Sequence, residues 1–418
     1  MNKVHDHSYE WKAILLLSIA FGLVGLDRWI ISPLFPVMME DLNLNYQDLG
    51  NITAILAISW GIFSILLGGI SDKIGRRKIL IPSMLAFSLL AGLSGLAGGL
   101  MSLLLIRAMM GVFEGAFTPV SIASTQEASN PKRRGFNMGL QQSAFVLFGL
   151  GLGPIFATQL LKIVPSWHWV FVLVSIPGFI VAFLLYKVIK EPEHVQLNKK
   201  ETKEVMKKIE WKDLFKHRNV WLCMFGLFGV MTALFVISAM IPNYLTDYLQ
   251  LSISEMGFVT SAVGFGGFIG ALVLPGISDK LGRKPVLMTA LLVAIGMILL
   301  FMNTGANAAL LFPLLFIIAG CIFGCLTMLA GPVTTESVPP ALVASAAGIP
   351  IGAGEIFGGG VSPVIAGFVA QNYGIEHILL ISIVGLIVSL VISVFLIETA
   401  PAKMKRTTEI GDVKIIES

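Results

Sequence analysis

The sequence predicts an all-α membrane protein: twelve transmembrane helices in two pseudo-symmetric six-helix bundles. Three observations predict it. Of 418 residues, 56% are hydrophobic and 13% charged, with a mean hydropathy of +0.85, against about 25% charged in a soluble domain. Apolar runs long enough to cross about 30 Å of hydrocarbon recur along the whole chain. A short glycine-rich, basic loop occurs twice, at matching places in the two halves.

The runs fall near 12–36, 49–70, 79–100, 102–124, 136–161, 168–189, 219–242, 256–276, 285–302, 308–331, 343–370 and 376–397. The first, from Trp11 to Phe35, is longer than a signal-peptide core and has no small-residue cleavage pattern behind it, so it is expected to stay as a span. One long polar stretch, Lys190 to Arg218, divides the runs six and six. The expected organisation is an N-terminal bundle over 1–189, a linker over 190–218, a C-terminal bundle over 219–397 and a tail over 398–418. Within the linker, Val205, Met206, Ile209, Leu214 and Phe215 recur opposite the lysines. That pattern leaves open an amphipathic helix on an anionic membrane surface or a solvated connection.

The net charge of +4 gains meaning from its placement. Lys73, Arg76, Arg77, Lys78, Lys132 to Arg134, the linker, Lys280, Arg283 and Lys284 all fall on one side of the predicted topology. The opposite loops carry Lys162 and the acids Glu40, Asp41, Asp48, Asp247 and Glu255. Basic loops resist translocation, so both termini are expected in the cytoplasm, with the chain multi-pass in the plasma or inner membrane. Cys223, Cys321 and Cys325 sit in apolar segments without ligand spacing and read as packing residues.

The repeated loop reads Gly68-Gly69-Ile70-Ser71-Asp72-Lys73-Ile74-Gly75-Arg76-Arg77-Lys78 after the second span. After the eighth it reads Pro275-Gly276-Ile277-Ser278-Asp279-Lys280-Leu281-Gly282-Arg283-Lys284-Pro285. An Asp at a helix end beside a tight glycine turn and several cations can cap a neighbouring helix and pair across a gap that opens and closes. The loop resembles the hallmark of the major facilitator superfamily, G-x-x-x-D-R/K-x-G-R/K-R/K, with Pro275 in the first position of the second copy. The resemblance covers nearly the entire chain. It implies two bundles around a cavity that faces each side in turn, with Asp72, Arg76, Asp279 and Arg283 as gating residues.

Ionisable side chains in hydrocarbon are costly, so the few inside the spans are functional candidates. They are Asp27 and Arg28 in the first span, Arg107 and Glu114 in the fourth, and Glu355 in the eleventh. Asp27 and Arg28 point about 100° apart. Arg107 and Glu114 share a face, about 10 Å apart along the axis; Arg107 is read either as a cavity residue or as a holder of backbone or phosphate groups. Gly111 and Gly115 form a small-x-x-x-small face that suits close packing.

Asp27-Arg28 together with Arg107-x-x-x-Gly111-x-x-Glu114-Gly115 looks like the anion:cation symporter branch of that superfamily, which includes sugar-acid:proton symporters. Carried over by position, the resemblance implies that Arg28 receives a substrate carboxylate, that Asp27 and Glu114 carry the coupling proton, and that Arg107 tunes their charge. Ser238, Asn243 and Tyr244 of the seventh span and Gln141 of the fifth complete the expected substrate contacts. Glu355 stands where many members have an uncharged amide. It is grouped with the proton carriers, with a substrate ligand or a structural acceptor left open.

The expectation is therefore a proton-coupled symporter of a small organic anion, such as a sugar acid or aromatic carboxylate, monomeric in the bilayer, with no cofactor, metal or nucleic-acid partner. The rival is a proton-driven exporter, suggested by Gly149-x-x-x-Gly153-Pro154; Arg28 would repel its cationic substrates. A membrane-embedded enzyme is not expected. The histidines His5, His7, His168, His194, His217 and His377 lie in tails, loops or span ends, and no phosphate-binding loop is present.

Overall fold

A computed structural model describes residues 7–130, 133–190, 216–338 and 343–400. Most of the linker and most of the C-terminal tail lie outside these, so the amphipathic stretch around Val205 to Phe215 is outside the described residues. Among the described residues, eleven helices have the length and apolarity of a membrane span, and Tyr46–Ile74 adds a further helix of 29 residues in the second position. The spans are therefore His7–Leu42, Tyr46–Ile74, Arg77–Ser94, Leu100–Ala128, Phe136–Leu160, Trp167–Val188, Arg218–Tyr248, Ile253–Leu281, Arg283–Met302, Ala308–Thr335, Gly348–Tyr373 and Ile375–Val394. Several run past the apolar stretch that announces them. The eighth begins with a capping box between Ser252 and Glu255, three residues ahead of its apolar run.

Packing repeats with the sequence. The second span lies on the fourth and the eighth on the tenth; the third lies on the sixth and the ninth on the twelfth. Long apolar side chains such as Leu89, Phe183, Leu292 and Val384 stay uncovered on the outer faces, where a bilayer would cover them. Gly75 and Gly282, the same position of the two loop copies, have φ of 105° and 108°. A side chain there would be strained, and this is why the loop repeats a glycine as well as its cations.

Prolines reshape three spans. Pro33 has no N–H for the carbonyl of Trp29, and the first span breaks at Ile30 into His7–Trp29 and Ile31–Leu42. Pro154 and Pro363 follow wide π-helical stretches, Leu147–Leu152 in the fifth span and Glu355–Val361 in the eleventh. These two spans hold corresponding places in their halves, so the bend is duplicated too.

The halves meet from the end remote from the termini down to about mid-depth. At that far end the Tyr46 hydroxyl donates to Asp247 at 2.8 Å, the Tyr46 N–H to Gln371 at 3.2 Å, and the Gln47 amide to the Val364 carbonyl at 3.2 Å. Deeper, Gly264 of the eighth span packs so closely on the Gly151 backbone of the fifth that a Cβ on Gly264 would lie 1.9 Å from the Gly151 nitrogen. Gly61 of the second span still faces Ile356 of the eleventh, where an added Cβ would lie 3.4 Å away, so the far end is closed down to this depth.

Candidate functional site

The break in the first span presents Asp27 and Arg28 at the centre of the molecule. Broken turns leave carbonyls without their usual partners, and Arg107 of the fourth span supplies donors. Its Nη1 donates to the carbonyls of Asp27 at 3.0 Å and Arg28 at 3.3 Å. Arg107 is 1% exposed. It holds backbone groups and also lines the crevice beside the Arg28 guanidinium, so the two positions open to it in the sequence coexist.

Arg28 reaches across the interface. Its Nη2 donates to Glu355 Oε2 at 3.0 Å, linking the first span to the start of the π-helical stretch in the eleventh. Three rings surround the guanidinium: Phe235 at 5.2 Å, Trp60 at 5.5 Å and Trp29 at 5.6 Å from ring centroid to Cζ. Flat aromatic faces attract a cation and exclude water, so the charge is held with few hydrogen-bonding alternatives. Four spans from both halves build this cage: the first, second, seventh and eleventh.

Behind it lie Asp27, 2% exposed, and Glu114, fully buried. Both Glu114 oxygens, Asp27 Oδ1, and Arg107 Nε and Nη2 have no hydrogen-bond partner among the described residues. Glu114 feels the charges of Arg28 and Arg107, and Asp27 those of Glu114 and Arg107. A buried carboxylate with no partner is expensive, so a group this placed is suited to a changing occupant, whether proton, water or ligand. A crevice lined by Arg28, Trp29, Ser32, Thr53, Leu56 and Arg107 opens beside the guanidinium, with water-sized space of about 10 Å³. That is room for about one water.

The sequence matches the Major Facilitator Superfamily model over residues 17–351 and 224–416. The chain belongs to the major facilitator superfamily. A hexuronate transporter of Bacillus subtilis (strain 168) is 32% identical over 66% of each chain, so the match spans just under two thirds of that protein. A D-galactonate transporter of Escherichia coli O6:H1 (strain CFT073) is 25% identical over 90% of this chain and 93% of the other. Among solved structures, a D-xylose-proton symporter superposes with a TM-score of 0.77 at 20% identity, covering 94% of this chain and 99% of that one. At that identity the likeness is one of fold.

Within this facilitator the structure gathers Asp27, Arg28, Arg107, Glu114 and Glu355 into one centre, and leaves other candidates apart. Asn243 lies eight residues beyond Phe235, about 12 Å along the axis, and donates to Met39 Sδ at 3.2 Å and Asp247 at 3.0 Å as part of the far-end closure. Tyr244 packs against Tyr248 and Phe301 and is 1% exposed. Gln141 donates to Ser121 at 2.6 Å inside the N-terminal half, and Ser238 is buried with no partner for its hydroxyl among the described residues. The rings of Trp60 and Phe235 are the residues that the sequence did not single out. Only Trp29, next to Arg28, carried a local signal.

Among the described residues, Arg76 and Arg283 of the repeated loops have ion-pair partners inside their own halves. Arg76 donates to Glu127 at 2.9 Å; Arg283 reaches Glu336 at 2.7 Å and Asp279 at 2.6 Å. Asp72 closes the second span, and its side chain is outside the described part of the structure.

Proposed function

We propose that this facilitator is a proton-coupled symporter of a small monocarboxylate, with hexuronates and aldonates as the leading substrate class. It works by alternating access as a monomer in the cell membrane, with both termini on the cytoplasmic side. The observation that carries the proposal is Arg28, a permanent cation in an aromatic cage between the two halves. A guanidinium fork matches the two oxygens of a carboxylate. The names of the B. subtilis and E. coli relatives, hexuronate and D-galactonate transporters, support the same class.

Charge balance supports the coupling. Fully ionised, the centre holds two arginines against Asp27, Glu114 and Glu355, an excess of one negative charge. A monoanion entering would double that excess in a poorly solvated place. A proton on Asp27 or Glu114 takes the excess back to one charge, and protons on both cancel it, so anion and proton favour each other's binding. The basic loops beside the termini support the orientation.

The exporter alternative gains nothing from the geometry of its motif. A Cβ on Gly149 would sit 2.5 Å from the Gly25 carbonyl, so that glycine serves close packing inside the N-terminal half.

Uptake of D-glucuronate and D-galactonate into proteoliposomes, acidic outside, tests the proposal. Wild type should accumulate one of them above equilibrium, and a protonophore should abolish the excess. Arg28→Ala should weaken binding about 10- to 150-fold, the worth of a charge-assisted hydrogen bond of roughly 1.5–3 kcal/mol. Glu114→Gln should keep downhill flux and lose accumulation. Uptake indifferent to the proton gradient would remove the coupling; uptake by Arg28→Ala equal to wild type would remove the binding role.

A further inference from the structure

Arg28 poses a problem that binding alone does not solve. A carrier that moves substrate one way must return empty, and on that return its permanent cation stays in the centre of the molecule. A buried guanidinium with no acid hydrogen-bonded to it is costly to hold, even with other acids nearby, which would raise the barrier to the empty return and leave the protein an obligatory exchanger.

In this structure the cation is not bare. Glu355 Oε2 accepts from Arg28 Nη2 at 3.0 Å, the geometry a substrate carboxylate would adopt. It is the one ion pair joining the two halves among the described residues. The Arg28 side chain is 5% exposed and that of Glu355 13%. The space left beside the guanidinium fits about one water, not a six-carbon acid. A substrate carboxylate and Glu355 therefore compete for the same fork.

The backbone around Glu355 allows it to come and go. The acid is the first residue of the π-helical stretch Glu355–Val361, beside Gly354 and ahead of three buried glycines, Gly358 to Gly360. Wide helical turns of this sort change register at small cost. The acid comes from one half and the arginine from the other, so their contact also reports that the two halves are together at mid-depth.

Resting on the anion-carrier function proposed above, we infer that Glu355 is a tethered stand-in for the substrate carboxylate. It neutralises Arg28 when the site is empty, and so lets the unloaded carrier reorient and makes net transport possible. Substrate displaces it on loading and it returns on release. Glu355 then acts on net flux more than on exchange, because in exchange both crossings are made with substrate in the fork. Asp27 and Glu114 do not take this part: among the described residues no hydrogen bond joins either to Arg28, and both belong to the same half as the arginine.

The test compares two fluxes of radiolabelled D-glucuronate in proteoliposomes: counterflow, with unlabelled D-glucuronate on both sides, and downhill efflux into substrate-free buffer without a pH gradient. For wild type the ratio of efflux to counterflow sets the reference. Glu355→Gln, and Glu355→Ala measured beside it in case one fails to fold, should lower that ratio about tenfold or more. Glu355→Asp, which keeps the charge, should recover most of it. The downhill arm separates this role from proton coupling, because no pH gradient drives it. A ratio unchanged in Glu355→Gln or Glu355→Ala, or counterflow lost as completely as efflux, overturns the stand-in role while leaving the anion-carrier function in place. Wild-type protein that carries neither D-glucuronate nor D-galactonate in either mode overturns that function and this role with it.

Discussion

At the scale of single residues, the organising fact is the cost of charge in hydrocarbon. Five ionisable side chains in the spans were conspicuous in the sequence because nothing else justifies their presence, and the fold brings all five together. Their pairings were not legible. Arg28 and Glu355 are 327 positions apart, and no local pattern records that they touch. Arg107 gives the clearest residue-level prediction. Its donors satisfy the Asp27 and Arg28 carbonyls, and its charge offsets Glu114. Arg107→Gln should therefore cost about 3–5 kcal/mol, the usual penalty for leaving a buried charge uncompensated. Adding Glu114→Gln should restore part of the loss, since the amide no longer needs the cation. Melting of the detergent-solubilised single and double variants measures both. A double variant no more stable than Arg107→Gln would show that the backbone carbonyls, not Glu114, set the requirement.

At the scale of elements, hydropathy makes the spans plain, but not their interruptions. The break at Ile30 and the π-helical stretches before Pro154 and Pro363 depend on which carbonyls find other donors. A proline inside an apolar run says only that one hydrogen bond is missing. The start of the ninth span shows a similar tertiary solution. Gly282 offers its helix no side-chain cap, and Glu398, beyond the twelfth span, supplies one: Oε1 accepts from the Arg283 N–H at 2.7 Å and Oε2 from the Lys284 N–H at 3.2 Å. Partial burial pushes this carboxyl's pKa up, but the N–H bonds from Ala400, Arg283, Lys284 and Thr399 outweigh it and hold it below the ordinary glutamate value. A depressed folded pKa contributes stability that is fully present above the unfolded value, about 4.3, and is lost as pH falls through the folded one. Glu398→Gln should thus melt below wild type at pH 7, with the gap closing under about pH 4. A gap that persists in acid would mean that the side chain acts by packing.

At the scale of the whole molecule, the alternating access proposed above requires the two halves to part at the far end for the centre to face the other side. What resists parting is backbone packed on backbone. The sequence shows many glycines, and their contacts divide into two kinds that it cannot distinguish. Gly264 meets Gly151 across the interface between halves, whereas a Cβ on Gly270 would lie 1.9 Å from the Gly320 carbonyl inside the C-terminal half. The same substitution should then have opposite consequences. Gly264→Ala pushes the halves apart without disturbing either one, and an overpacking cost of about 1–3 kcal/mol is enough to shift the balance between forms about 5- to 150-fold. Gly270→Ala separates two helices that never part in the transport cycle, so it should lower thermal stability and leave the balance alone. Spin labels at Ile163 and Tyr373, exposed on opposite halves at the far end, read the distribution directly. Gly264→Ala should add a longer-distance population at little cost in melting temperature, and Gly270→Ala should do the reverse. If both variants merely melt earlier with the distance unchanged, the Gly151–Gly264 contact is ordinary core packing, and the far-end closure is held by the Tyr46, Gln47 and Asp247 hydrogen bonds instead.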